Sequence, residues 1–388
     1  MVVTETVPVQ LLVVADSSHF SGAESVIVDV VRSLAEEDRF DLTVASPVAN
    51  PQLRSSLEDA APDGRHIDIP AQPTSLAGIR LFDPRGIKAI RSSLRGVSPD
   101  VILLNLPSPE YGAGLLAADP FPEVPIVGFL HTTPAMRDLG FRAGRVREGL
   151  ARRALRRLDR ALVLSAPAAS AVARRWGTRD PDPAVVRLPA PEVRVHDRAE
   201  SRRLLGLPER DPLVGIVGRV TIKQKGHDTL VEASRRLLIE HPDLRFVVAG
   251  EGKDRAEVQR RVASAGVADR WVFLGQVSPV DRFLSAIDLI AIPSRFEGLP
   301  LVALEALRVG VPGVATEVDG LGEVWPSEWR VPPDDSAALA ERLAVVLAAG
   351  EEDRAESLER GRAQLERRTS PDPAVDVVSA LEAVVPVG

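Results

Sequence analysis

Cysteine is absent from all 388 residues. Disulfides, thiolate metal sites and cysteine nucleophiles are therefore excluded. A surplus of positive charge is also absent: 55 Asp and Glu face 48 Lys and Arg, for a net charge of −7. A general nucleic-acid binder usually carries a basic face, so this balance argues against one. No apolar run approaches the ~20 residues a membrane-spanning helix needs. The first apolar stretch has no basic segment before it and runs into the polar turn Asp16-Ser17-Ser18-His19. It reads as a buried strand and not as a secretory leader, and a cytoplasmic location is expected. Nearly all the positive charge is arginine, which points to a GC-rich, bacterial genome.

What is present is an alternation. Short runs rich in Val, Ile and Leu fall at 9–15, 42–45, 101–105, 126–131 and 161–165, then at 214–218, 245–249, 271–274, 289–293 and 314–316. Helical patterns separate them. Continuous apolar strands between helices point to parallel sheets covered on both faces. The expected fold class is α/β, with two doubly wound, Rossmann-like domains facing across a cleft. The length suits two domains. The prolines of Pro189-Ala190-Pro191 and the charged stretch after them read as the junction. We place the first domain at 1–195, the second at 196–370, and a C-terminal helix within 371–388 that packs back toward the first. In open α/β sheets ligands bind beyond the carboxyl ends of the strands, and three motifs fall there.

The first motif runs from Gly218 to Asp228 and carries Arg219 and Lys225 between a strand and a helix. Arg grips two phosphate oxygens at once and Lys adds a mobile point charge, which suits a diphosphate. The spacing is not that of a Walker loop, and a solvated loop is the competing reading. The second motif runs from Ile292 to Ala306. A buried strand ends at Ser294, a turn holds Glu297 and Gly298, and Pro300 is expected at the first helical position. The backbone N–H groups of Gly298, Leu299 and Leu301, on either side of Pro300, would then meet an anion at the positive end of the helix dipole. Glu297 and Glu305 stand roughly 10 Å apart at ~1.5 Å per residue, too far to share a proton but able to hold two ends of an extended ligand. Alternatively Glu297 serves the helix dipole and Glu305 an ion pair. The third motif, Gly250-Glu251-Gly252, resembles half a dinucleotide fingerprint. Arg255 stands where its third glycine would be, so nicotinamide and flavin sites are disfavoured.

Five segments occur in register: GRVTIKQKGHDTLVEA, VVAGEG, WVFLGQV, AIDLIAIPSRFEGLPLVALEALRVGVP and GVAT. Together they resemble the C-terminal domain of the family-four retaining glycosyltransferases of the GT-B fold, and Glu297 and Glu305 match that family's Glu-x7-Glu signature. The resemblance is close over roughly 200–320. In the first half, Phe20-Ser21-Gly22-Ala23-Glu24 looks like the family's glycine-rich first loop with Ser21 in place of a glycine. His131-Thr132-Thr133-Pro134 stands where the family often has a cleft histidine. The junction lacks the family's Asn-Gly-Val-Asp turn. Trp325 and Trp329 stand where a Gly-rich turn is usual, so altered loops are expected there.

The resemblance implies a donor-binding second domain and an acceptor-binding first domain. Arg219 and Lys225 would bind the diphosphate, and Glu297 would contact the transferred sugar. Ser294 and the backbone of Gly298, Leu299, Pro300 and Leu301 would line the phosphate site. Glu305 would hold the ribose. Gly250, Glu251, Gly252, Gln276 and Val277 would flank the nucleotide, and Gly22 would approach the diphosphate. His131 would sit near the sugar, unless it only caps a strand end. The implied reaction is sugar transfer with retention, without a cofactor or metal. The partners would be a nucleotide-sugar and a small-molecule, glycan or lipid-linked acceptor, with no nucleic acid. Two other readings are a nucleotide-sugar hydrolase or epimerase on the same fold, and a non-catalytic nucleotide-sugar-binding protein. The segment 142–160 carries eight Arg among leucines and alanines. It reads as a surface helix packed through Val146, Leu150, Ala154 and Leu158, with peripheral membrane contact as the less favoured reading.

Overall fold

The computed structural model describes residues 7–70, 84–110, 112–134, 144–179, 182–370 and 372–385. The chain divides into two compact units, residues 1–189 with 370–388, and residues 190–369.

The first unit is built on a seven-stranded parallel sheet. In chain order the strands are β1 (Val9–Ala15), β2 (Phe40–Pro47), β3 (Arg65–Ile69), β4 (Val101–Leu106), β5 (Ile126–Leu130), β6 (Arg160–Val163) and β7 (Ala184–Val185). Their spatial order is β3-β2-β1-β4-β5-β6-β7. The order reverses between β1 and β4, where Val13 pairs with Leu103 and Ala15 with Asn105. The last five residues of β1, all of β4 and all of β5 are buried. That is why these runs are apolar apart from Asn105 and do not alternate. Each such Leu or Val contributes roughly 1.5–3 kcal/mol by leaving water.

The helix Gly22–Ala35 follows β1 and turns Val26, Ile27, Val30, Val31 and Leu34 inward, at the three- and four-residue spacing of one helical face. The final helix, Ala374–Glu382, belongs to this unit. It buries Ala374, Val377, Ala380 and Leu381. The Asp376 carboxylate accepts from the Arg187 backbone N–H at 2.9 Å and from its guanidinium at 3.1 and 3.2 Å.

The second unit carries a six-stranded parallel sheet: β8 (Leu213–Val217), β9 (Arg245–Ala249), β10 (Trp271–Gly275), β11 (Leu289–Ile292), β12 (Gly313–Thr316) and β13 (Arg330–Val331). Its order is β10-β9-β8-β11-β12-β13. The reversal falls between β8 and β11, which pair through Leu289 with Val214 and Ile290 with Gly215.

All ten runs expected as strands form strands, and β3, β7 and β13 are additional. The charged stretch read as a junction is not a bare linker. It holds the helix Arg198–Leu204, in which Arg202 is only 3% exposed. The two tryptophans that mark an altered loop are both buried, 6.4 Å apart between ring centroids. Trp325 Nε1–H donates to the Gly313 carbonyl at 3.2 Å.

Candidate active site

Lys225 follows β8 and Glu297 follows β11, so the strand reversal of the second sheet sets them side by side. Lys225 ends the short helix Ile222–Lys225. The helix stops at Gly226, whose φ of +64° favours glycine, and whose added Cβ would lie 1.9 Å from the Pro293 carbonyl oxygen. This close approach draws the Lys225 turn onto the end of β11. Lys225 Nζ then donates to Glu297 Oε1 at 2.6 Å, across 72 residues of chain. Ser294 Oγ–H donates to the same oxygen at 2.7 Å.

Arg295 ties the two turns together. Its guanidinium grips both oxygens of Asp228 at 2.9 Å. It also binds Asp334 at 2.5 Å and the Ile222 carbonyl. Its backbone N–H donates to Gln224 at 2.7 Å. Sequence reasoning gave Arg295 no role, because its partners are distant in the chain.

The turn after Glu297 is clamped from β12. Glu297 N–H donates to Asp319 Oδ2 at 2.9 Å. Gly320 N–H donates to the Gly298 carbonyl at 3.0 Å. Asp319 holds a φ of +38°, an uncommon conformation for a residue with a Cβ. Nothing local in the sequence marked Asp319 as a partner of Glu297.

The helix Leu301–Val309 begins one residue later than expected. Pro300 is its N-cap, with extended ψ of 114°, and not its first helical residue. A proline there still removes no hydrogen bond, since N-terminal N–H groups lack helical partners in any case. The N–H groups of Gly298, Leu299 and Leu301 have no protein acceptor among the described residues. An anion at this helix start would meet them together.

Glu305 lies on the same helix and is half-buried. Burial, with the Asp281 charge behind it, pushes its carboxyl up to about 7. Arg219 is exposed, and its guanidinium makes no hydrogen bond or ion pair among the described residues.

Gly250 and Gly252 have a packing reason. A Cβ on Gly250 would lie 1.9 Å from the Gly218 carbonyl oxygen, and one on Gly252 would lie 2.3 Å from that of Val220. The loops after β8 and β9 are zipped backbone to backbone, with Val220 N–H donating to Glu251 at 2.8 Å. Their glycines make that contact possible whether or not a ligand is bound. Glu251 points its carboxylate at Arg255. Gln276 is exposed and Val277 half-buried beyond β10. Among the described residues no group of three His, Asp or Glu side chains could hold a metal ion.

In the first unit His131 caps the end of β5 and is 4% exposed. Its Nε2 meets Asn105 Oδ1 at 2.7 Å, and burial pushes its pKa down to about 3. Gly22 opens the helix after β1 and is exposed. Sequence reasoning passed over Asp16, the residue after β1. Burial raises its carboxyl to about 6, the Gly112 N–H opposes this at 3.1 Å, and the Glu24 charge adds to it.

This shift has a stability consequence of definite sign. A carboxyl whose folded pKa lies above its unfolded value of 3.8 binds more protons when folded. Stability therefore falls as pH rises from about 4 to 6 and stays lowered above that. The cost is up to about 3 kcal/mol at neutral pH. Asp16→Asn removes it. The variant is expected to melt about 5 °C or more above the parent at pH 7.5, with the gain gone at pH 4. Equal melting temperatures at both pH values would show that Asp16 is relaxed.

The basic segment forms the helix Gly144–Leu155, and residues 142–143 lie outside the described residues. Its buried face is Ala151 and Leu155, continued by Leu158. Val146 was expected in that stripe but is 63% exposed, because it sits on the opposite side of the helix from Ala151. Two of the arginines are tied into the fold. Arg147 forms a two-pronged pair with Glu110 at 2.8 and 2.5 Å. Arg157 donates to the carbonyls of Phe121, Pro122 and Val124. No helix among the described residues is long and apolar enough to cross a membrane.

Two family profiles match the chain. Residues 20–188 match "Glycosyltransferase Family 4", and residues 211–349 match "Glycosyl transferases group 1". The chain belongs to glycosyltransferase family 4.

As a family-four glycosyltransferase it is similar to the lipopolysaccharide core biosynthesis mannosyltransferase of Rhizobium meliloti. That match is 39% identical over 133 residues, 33% of this chain and 38% of the relative. It is also similar to the D-inositol 3-phosphate glycosyltransferase of Rhodococcus jostii, 34% identical over 227 residues, 54% of this chain and 49% of the relative. The chain thus spans about half or less of the length of these relatives. Anabaena HepE, solved with UDP and glucose, superposes with a TM-score of 0.78 at 18% identity, covering 97% of this chain and all of that one. That likeness shows the fold: GT-B, with two parallel-sheet α/β domains.

Proposed function

We propose that this family-four chain transfers a sugar from a nucleoside-diphosphate sugar to an acceptor hydroxyl, with retention of anomeric configuration. One observation carries the reading: the 2.6 Å contact that brings Lys225 to Glu297 at the strand reversal of the second sheet. A diphosphate asks for a cation and free N–H donors. A sugar asks for a carboxylate that accepts from its hydroxyls. Both sets of groups meet at this point, beside the start of the helix Leu301–Val309. HepE, which shares the fold, holds UDP and glucose, and the Rhizobium and Rhodococcus relatives are named as sugar transferases.

In the proposed reaction the bond from the sugar's anomeric carbon to the diphosphate oxygen breaks. A bond from the acceptor oxygen to that carbon forms on the same face. The acceptor's proton passes to the leaving diphosphate oxygen, so no separate protein base is required. Negative charge grows on the leaving group. Arg219, Lys225 and the N–H groups of Gly298, Leu299 and Leu301 stabilise it, and preorganised electrostatics of this kind are usually the largest catalytic contribution. These cations meet the charge that a bound metal would otherwise offset, and no cofactor enters the balance. Glu297 holds sugar hydroxyls and Glu305 the ribose. The loops bearing Gly250, Glu251, Gly252, Gln276 and Val277 flank the base. Gly22 and His131 serve from the first unit, which takes the acceptor.

A thermal-shift series with UDP, GDP, ADP and dTDP tests the donor site. A nucleotide at 100 times its dissociation constant should stabilise the fold by about 2.7 kcal/mol. No shift with any of the four would remove the donor site. With the preferred nucleotide-sugar, affinity should rise as pH climbs through about 7, because ribose hydroxyls donate to the ionised form of Glu305. A flat affinity from pH 6 to 8 would take Glu305 out of the ribose contact.

A further inference from the structure

At the carboxyl ends of β1, β4 and β5 lies a set of buried polar groups that the donor chemistry does not use. Asp16 follows β1, and Glu24 stands in the first turn of the helix Gly22–Ala35. They are 2% and 1% exposed. Each carboxylate has one oxygen engaged: Asp16 Oδ2 accepts from Gly112 N–H at 3.1 Å, and Glu24 Oε2 accepts from Ser21 Oγ–H at 2.5 Å. The other oxygen of each, Asp16 Oδ1 and Glu24 Oε1, is closed off from water and accepts no hydrogen bond among the described residues. The two are close enough for the Glu24 charge to act on Asp16. Neither forms an ion pair with an Arg or Lys among the described residues.

The neighbouring strand ends add to this imbalance. With Asn105 Oδ1 accepting from His131 Nε2–H, His131 Nδ1 is left as a bare lone pair, and it too has no partner. Ala15 pairs with Asn105, and Asn105 with Phe129. Asp16 and His131 therefore stand two strand spacings apart, about 10 Å. Among the described residues three buried acceptors are vacant here, against one vacant donor, Asn105 Nδ2.

A folded chain rarely leaves buried acceptors unmade, and less often leaves two carboxylates together without a cation. The group that completes such a set supplies donors and positive charge. A hydroxyl supplies one donor and no charge, while an ammonium supplies three donors and the charge. Ser18, Phe20 and Ser21 above the pair are half-exposed, and His19 and Gly22 are exposed. The segment that joins the two carboxylates in the chain thus reaches the surface.

We propose that Asp16 and Glu24 form an ammonium-binding site in the first unit, so that the acceptor is an amino sugar or aminocyclitol with its protonated amine on these two carboxylates. This rests on the glycosyltransferase reading, in which the first unit takes the acceptor, and it names the acceptor's class. His131, on the far side, accepts from a hydroxyl of the same ligand.

Calorimetric titration of the full chain at about pH 7 tests it, with glucosamine, N-acetylglucosamine and glucose as probes. N-acetylation keeps the ring hydroxyls and removes the charge. Glucosamine is expected to bind at least about tenfold more tightly than the other two. Asp16→Asn and Glu24→Gln should each abolish that preference while leaving nucleoside-diphosphate binding intact, which also shows that the variants fold. Equal affinity for glucosamine and N-acetylglucosamine, no binding of any probe, or a preference that survives both substitutions would each overturn the proposal. A chain that binds a nucleoside diphosphate but shows no amine preference loses only this assignment. A chain that binds neither loses the glycosyltransferase reading as well.

Discussion

Arg202→Ala should lower the melting temperature by about 10 °C or more. The guanidinium is buried at the start of that unit. Its Nε–H donates to the Ala286 carbonyl at 2.9 Å. Nη1 donates to the carbonyls of Pro208, Glu209 and Asp211 at 3.2, 2.8 and 3.0 Å. Nη2 donates to Asp288 at 2.7 Å, and Asp288 in turn accepts from Leu213 N–H at 2.7 Å. One side chain thus ties the lead-in segment to the first residue of β8 and to the end of the helix Val280–Ala286. Truncation leaves four carbonyls without their donor and a carboxylate with less compensation. Removing one partner of a buried charged network costs about 3–5 kcal/mol. Lys cannot substitute, because its ammonium is a compact point and these acceptors are arranged around a planar fork. Thermal unfolding of Arg202→Ala and Arg202→Lys checks both statements. A shift of under about 2 °C in the alanine variant would show that the network is dispensable.

Lys225→Ala should lower turnover about a hundredfold, close to what deleting one preorganised donor costs. Two losses combine. The leaving diphosphate loses a cation, and Glu297, itself 5% exposed, loses the partner that holds its carboxylate in place. Ser294 still holds the same oxygen, so the turn should survive and the fold with it. If the pair acts as one unit, Lys225→Ala combined with Glu297→Gln costs much less than the sum of the two single losses. Steady-state rates of the three variants with a nucleotide-sugar decide this. Turnover within about twofold of the parent in Lys225→Ala would remove Lys225 from the chemistry.

Much of the fold was legible because the code for a buried parallel strand is local. β1, β4, β5 and β11 are apolar on both faces over most of their length, and a run of Val, Ile and Leu between turns states that directly. The three strands that escaped notice lack that signature. β3 reads RHIDI, with Arg65, His66 and Asp68 beside only two apolar residues at the sheet edge. β7 and β13 are two residues each, too short to show any period. The Gly-x-Gly of residues 250–252 shows the opposite case. Its pattern was visible, but its cause, backbone contact with the loop after β8, was not.

The sequence by itself determined the α/β class, the ten apolar strands that form most of both sheets, and the family, and it singled out Lys225, Glu297 and Glu305. These are properties of local composition and of residue order. The tertiary structure decided which groups touch. Strand order sets Lys225 against Glu297, because β8 and β11 are neighbours only once the sheet reverses. It also sets Asp319 under the Glu297 turn, makes Arg202 a buried tie and, among the described residues, leaves Asp16 and Glu24 together without a cation. A contact between residues far apart in the chain, such as the 72 that separate Lys225 from Glu297, leaves no local pattern to read. Charge and burial at such places follow from the packing of the sheet and its helices, and so does the chemistry.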